Sequence, residues 1–157
     1  MVEAARPATG DDLARVAELS RQARAEVESE RGGATFLARE ARGDSVVDDL
    51  APALADGERC VLVGTLDGVV VGFASARTER LRDGTVHGVI GDLYVEPEAR
   101  GVGVGEALMD ALLAWAAERG CKGIDATALP GDRATKNFFE GSGFTARLLV
   151  MHHRVER

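Results

Sequence analysis

Aromatic residues are scarce in this 157-residue chain, which holds one Trp, one Tyr and five Phe. Trp115 and Tyr94 can therefore be followed individually. Cysteine is rarer still, with two residues. Cys60 and Cys121 have neither metal-ligand spacing nor a disulfide framework around them, and read as small core or near-core residues. Long apolar runs are missing. None approaches the roughly 20 residues that a membrane-spanning helix needs. Met1-Val2-Glu3-Ala4-Ala5-Arg6-Pro7 lacks the basic flank and apolar stretch of a signal peptide. Positive charge is in deficit, with a formal net charge of −7. A nucleic-acid-binding domain wants a basic stripe, so that class is set aside. His87, His152 and His153 show no helical His-x-x-x-His pairing, and two adjacent strand histidines point to opposite faces, so no metal site is expected. The expectation is a single domain over residues 1–157, in the cytoplasm and not bound to membrane.

What the chain does have is glycine at a telling place. Arg100-Gly101-Val102-Gly103-Val104-Gly105-Glu106 follows an apolar, strand-like run from Val89 to Val95 and precedes an amphipathic helix. Glycine gives up the most backbone freedom on folding, so three at alternate positions need a reason. Close backbone approach to a bulky anion, and positive φ at Gly103 and Gly105, would supply one. A helix N-terminus offers unpaired N–H donors and a partial positive charge, which suits a pyrophosphate. Two familiar phosphate loops fail on spacing. The nucleotide-hydrolase loop needs Gly-Lys before Ser or Thr, and Gly105 is followed by Glu106 and Ala107. The dinucleotide fingerprint G-x-G-x-x-G meets Glu106 or Leu108 at its last position.

The rest of the chain reads as mixed α/β. A first strand is expected over Val2–Arg6. Thr9 with Asp12 forms a capping-box pattern for a helix over Gly10–Glu30, stopped by Gly32-Gly33. Ala34–Gly57 reads as irregular helix broken at Pro52. Cys60–Leu66, the turn Asp67-Gly68 and Val69–Ala76 make a hairpin. Asp83-Gly84 turns the chain into a third antiparallel strand, Thr85–Val95. Apolar residues then recur from Val104 at offsets of 3, 4, 7, 8, 11 and 12, a helical stripe ending at Gly120. Ile124–Leu129 reads as a strand reached by a parallel crossover. Asp132 caps a short helix carrying Phe138 and Phe139, which ends near Gly141 and Gly143. Phe144–Val155 reads as a final strand, whose apolar part to Met151 would pair across a homodimer if it lay at a sheet edge.

Arg-x-x-Gly-x-Gly from Arg100 to Gly105 resembles the acetyl-coenzyme A signature of the GNAT superfamily of N-acetyltransferases. Asp92-Leu93-Tyr94-Val95-Glu96-Pro97-Glu98-Ala99 looks like that family's strand leading into the loop. Ala134-Thr135-Lys136-Asn137-Phe138-Phe139-Glu140-Gly141-Ser142-Gly143-Phe144 looks like its late helix. The resemblance implies the GNAT fold, with a mixed central sheet, antiparallel N-terminal strands, a parallel crossover and helices on both faces. It implies acetyl-CoA as cosubstrate and an amine as acceptor, from a small molecule or a peptide. By the same resemblance Arg100, Gly101, Val102, Gly103, Val104, Gly105 and Glu106 would hold the pyrophosphate. Leu93, Tyr94 and Val95 would hold the pantetheine arm and polarise the thioester. Asp132, Asn137 and Phe139 would border the coenzyme.

Two positions depart from the family. Asp132 stands where Asn is frequent. Phe139 stands where the family often has the tyrosine that protonates the leaving thiolate. Transfer needs a neutral amine, and a free alkylamine has a pKa of about 10.4. Asp92 and Glu96 are the base candidates on the strand before the loop, with a plain hydrogen-bonded carboxylate as the alternative for Asp92 and a loop role as the alternative for Glu96. Tyr94 is the substitute acid, with half-exposed packing as the alternative. Strand alternation is expected to set Asp92, Tyr94 and Glu96 opposite Val89, Leu93 and Val95. Glu26, Glu28 and Glu30 read as a solvated helix end or as the acceptor entrance. A coenzyme A-binding module without efficient catalysis is the competing function, kept open by Phe139. Transfer of a longer acyl group is a third.

Overall fold

The structure is a computed structural model that describes residues 1–156. Its described residues build a five-stranded sheet in the order β1-β2-β3-β4-β5. Strand β1 (Glu3–Pro7), β2 (Arg59–Leu66), β3 (Val69–Arg80) and β4 (Val86–Val95) pair antiparallel in succession. Strand β5 (Cys121–Asp125) pairs with β4 in parallel. The β2–β3 hairpin closes at Asp67 and Gly68, with φ of 50° and 82°. Positive φ at both central residues is the mark of a type I′ turn, whose twist matches that of the strands it joins.

Helices cover both faces. Helix α1 (Leu13–Val27) packs with α3 (Val46–Leu50) and, among others, Val61, Val63 and Phe73 on one face. The segment between them holds α2 (Gly33–Arg39). Pro52 opens a 3-10 turn over Pro52–Ala55 after α3, where its missing N–H costs nothing. Helix α4 (Val104–Glu118) covers the other face. Its stripe buries Val104, Leu108, Met109, Leu112 and Ala116. Gly64 in β2 lets it sit close: a Cβ there would lie 2.6 Å from Val104. Burying a side chain such as Leu108 contributes about 1.5–3 kcal/mol. Helix α5 (Arg133–Gly141) adds Phe139 to the same core.

Four expectations are corrected. The fifth strand covers Cys121–Asp125, not Ile124–Leu129. Residues 144–156 form no strand, because no described strand bonds to their backbone. The alternation along β4 breaks. Asp92 lies opposite Ser75 and Ile90 opposite Ala76, so Gly91 is an extra residue, a bulge. Val89 therefore shares the face of Asp92 and Tyr94, not that of Leu93 and Val95. Gly105 lies inside the first turn of α4 and has no positive φ, while Gly101 and Gly103 do, at 82° and 99°.

Candidate active site

The parallel pairing of β4 with β5 involves only Val86 to Val89 of β4. From Ile90 to Val95, β4 has no neighbour on that side, and its backbone groups line an open edge. The edge opens into a cleft of about 640 Å³. The glycine loop, α5, the C-terminal half of α1, the α2 segment and the residues after β5 form its walls.

The glycine loop forms one end of the cleft. Gly103 is the N-cap of α4, and no side chain caps this helix. The first intrahelical bond returns from Ala107 N–H to the Gly103 carbonyl. The N–H groups of Val104, Gly105 and Glu106 precede it and are open to an anion. A Cβ at Gly105 would come within 3.3 Å of the Phe138 ring, so this glycine lets α5 approach the loop. These unpartnered donors, beside an unpaired strand edge, fit a long ligand ending in a pyrophosphate.

Most of the residues singled out in the sequence meet here. Asp92, Leu93, Tyr94, Val95 and Arg100 line the cleft, as do Gly101, Gly103, Gly105 and Glu106. Asp132 and Phe139 line it from α5. Val102 and Asn137 are exposed and lie outside the lining. The Val104 side chain is buried under α4, so only its backbone can serve the loop. Asp132 accepts hydrogen bonds from Thr135, at 3.1 Å from the backbone N–H and 2.6 Å from the hydroxyl, and so caps α5. Phe139 is 9% exposed and packs edge-on to Phe138.

Separate ion pairs tie together the elements around the cleft. Arg42, between α2 and α3, donates twice to Asp92 Oδ2, at 2.7 and 3.0 Å. The Ser75 hydroxyl donates to the same oxygen. Asp92 thus ties the α2–α3 segment to β4. Glu96 pairs with Arg15 at 2.8 Å. Arg100 donates to both oxygens of Glu26, at 2.8 and 2.9 Å, and its Nε holds the Val95 carbonyl at 2.8 Å. Its guanidinium lies 5.5 Å from the centre of the Tyr94 ring. Burial and the neighbouring Glu26 push the Tyr94 phenol well above its ordinary pKa. It keeps its proton.

No local sequence pattern marks Arg42, nor the partnership of Glu26 with Arg100. Each partner lies 50 or 74 residues from its mate, beyond any local pattern. Nor does local pattern choose between the solvated and cleft-lining roles open to Glu30. Glu30 lines the cleft, and its Oε2 is buried with no hydrogen-bond partner. Burial, then Asp132 and Glu26, raise its pKa. Among the described residues no three His, Cys, Asp or Glu gather closely enough to hold a metal ion.

A profile of the Acetyltransferase (GNAT) family matches residues 20–144. This chain belongs to the GNAT acetyltransferase family. It is an acyltransferase, and acetyl-CoA is its cosubstrate. An aminoglycoside N(6')-acetyltransferase type 1 of Stenotrophomonas maltophilia is 32% identical over 117 residues, spanning 71% of this chain and 76% of the relative. Solved structures share the fold. A mutant of the BH1408 protein from Bacillus halodurans superposes with a TM-score of 0.82 at 20% identity, over 99% of this chain and 100% of the other. AAC(6')-Iy in complex with the bisubstrate analog CoA-S-monomethyl-acetylneamine gives 0.77 at 19% identity, over 100% of both chains. Among the described residues no helix of this GNAT chain is long and apolar enough to cross a membrane.

Proposed function

We propose that this acetyltransferase acts on a small molecule carrying several ammonium groups, of the amino-sugar kind that aminoglycosides represent. The relative from Stenotrophomonas supports that acceptor class. The observation that carries it is the acidic wall of the cleft. Glu30 has a buried oxygen without a partner, and its charge is opposed by Asp132 and Glu26. Glu26 is paired with Arg100, so Glu30 and Asp132 carry the negative charge that attracts ammonium groups and repels a phosphorylated acceptor. The setting we infer is the cytoplasm, where Cys60 and Cys121 stay reduced. Burial pushes the Cys60 thiol up to about 11, which keeps it inert.

The thioester supplies an activated acyl carbon. Transfer is direct, in a complex holding both substrates: the amine nitrogen bonds to that carbon as the carbon–sulfur bond breaks. The N–H groups at the start of α4 hold the pyrophosphate. The backbone of Leu93 to Val95 holds the pantetheine arm and donates to the thioester oxygen. The amine must first lose a proton. Glu30, with its raised proton affinity, receives it more readily than a carboxylate of ordinary pKa. Asp92 is the second candidate, fixed in place by Arg42 and Ser75. A thiolate with a pKa of about 8.5 leaves without a dedicated acid. The Tyr94 hydroxyl faces Gln22 and holds its proton firmly, and Phe139 has no hydroxyl, so the thiolate takes its proton from solvent.

Acceptor charge tests this reading. kcat/KM is expected to be at least tenfold higher for an aminoglycoside with three or more ammonium groups than for glucosamine, and to fall as salt rises. Equal values, or a preference for glucosamine 6-phosphate, would contradict it.

A further inference from the structure

A second, smaller cavity of about 100 Å³ lies next to the cleft, and Arg42 and Gly91 border both. Its chemistry is the reverse of the acidic wall. Arg42, Arg59 and Arg77 line it, and among the described residues no carboxylate does. Leu50 of α3 and Ala53 of the turn that follows, both buried, form its apolar side. Three arginines thus gather in a chain whose formal net charge is −7.

Strand register brings the charges together. Arg59 of β2 lies directly opposite Arg77 of β3. Side chains so placed share a face of the sheet, and like charges among them repel. Ser75, two residues before Arg77, is on the same face, and its hydroxyl accepts from Arg42 Nη2 at 3.3 Å. Little in the protein offsets the repulsion. Arg59 donates to the Asp49 carbonyl of α3 at 2.9 Å. Arg77 reaches Glu79 only at 3.5 Å, with the two side chains 53% and 45% exposed, where an ion pair contributes little. Arg42 gives its Nε and Nη2 to Asp92 and Ser75, and its Nη1 donates to no described residue. Guanidinium N–H groups that lack acceptors, set around one small cavity, suit an oxyanion.

We propose that this cavity binds one doubly charged tetrahedral oxyanion: phosphate or sulfate, free or as the end of a monoester. Its volume is that of about three waters in the liquid, which suits one such group and leaves the rest of any ester outside. Arg77 is the exposed arginine of the three, so an ester would leave past it. The anion ties β2 and β3 to the α2–α3 segment through a single shared charge. It also shares Arg42 with Asp92, which links this cavity to the cleft. Glu30 and Asp132 do not line the cavity, so the anion and an ammonium-bearing acceptor do not compete.

Calorimetry of the full chain, saturated with coenzyme A so that the start of α4 is filled, tests the site. Sodium phosphate, sodium sulfate and ethyl phosphate are titrated in turn, with sodium chloride at equal ionic strength as the control. Phosphate and sulfate are expected to bind at one per chain, with a Kd of about 1 mM or tighter. Ethyl phosphate that binds equally well extends the site to esters, and binding at least about tenfold weaker assigns it to the free ion. Arg59→Gln combined with Arg77→Gln should weaken phosphate binding at least about tenfold. In phosphate-free buffer that variant should keep native acetyl-CoA affinity and native turnover. Arg77→Gln alone changes one half-exposed side chain, and should by itself weaken phosphate about threefold or more. No saturable binding up to about 10 mM overturns the proposal. So does binding that chloride matches, or phosphate affinity that stays native in a folded Arg77→Gln or double variant.

Discussion

Gly103 is where the coenzyme loop is most open to a decisive perturbation. Its φ is 99°, and a Cβ there would lie 3.1 Å from Cγ of Glu3. Gly103→Ala places a side chain in a backbone region that costs about 1–3 kcal/mol. The loop relieves that strain by turning Gly103 toward negative φ, which re-aims the N–H groups of Val104, Gly105 and Glu106. A hydrogen bond to a charged group is worth about 1.5–3 kcal/mol. Losing two lowers acetyl-CoA affinity by roughly 10²–10⁴-fold. Gly120→Ala is the control. Its φ is 75°, its Cβ meets nothing within 4 Å, and it lies at the far end of α4. Both variants should lose similar thermal stability, and only Gly103→Ala should lose affinity in calorimetry. Native affinity in a folded Gly103→Ala protein, or equal losses in both variants, would refute the assignment of the loop.

Three further outcomes follow from the same geometry. Phe139→Tyr adds one oxygen at a cleft-lining ring that is 9% exposed, and should leave acetyl-CoA affinity intact while turnover stays level or rises modestly. A sharp loss of affinity would mean that the ring has no room beside the sulfur. Asp92→Asn leaves Arg42 without its charge partner, and Arg42→Gln should lower the melting temperature in the same way, with partial loss of turnover in both. If Asp92→Asn alone stops turnover, at unchanged stability and over a full pH series, Asp92 is the base itself. Asp12 is held down to about 2 by Arg6, and Asp125 to about 2 by Arg147 and His87. Both pKa values are lower in the folded chain than in the unfolded one, so their stabilisation is present above about pH 4 and is lost as pH falls toward 2. After solvent screening each is worth roughly 1 kcal/mol, and chemical denaturation of Asp12→Asn and Asp125→Asn should show a shallower acid loss.

The segment from β4 through the glycine loop into α4 was legible because its information is contiguous. A strand, a loop and a striped helix lie side by side in the chain, and the hairpin turn at Asp67-Gly68 fixed the neighbouring register. What joins distant residues was not legible. Arg100 with Glu26, and Arg42 with Asp92, meet only when α1 and the α2–α3 segment close over the sheet. The bulge at Gly91 has no signature except the glycine, yet it reverses the side on which Val89 lies. Asn137 and Val102 sit inside matching motifs, but helix phase and loop curvature turn them outward. The last strand fails for a different reason: its apolar pattern is that of a paired strand, and its own chain offers it no cover.

Acceptor-dependent release of coenzyme A tests the central claim most directly. The native chain is supplied with acetyl-CoA and, in turn, with aminoglycosides, polyamines, simple amino sugars and a lysine peptide. Thiol release should be slow without acceptor and rise many-fold with a polycationic amine, with one acetylated nitrogen per thiol by mass spectrometry. Tight acetyl-CoA binding with no acceptor-dependent release across the panel would contradict the account, and would leave a coenzyme-binding module whose chemistry ended with the hydroxyl missing at Phe139.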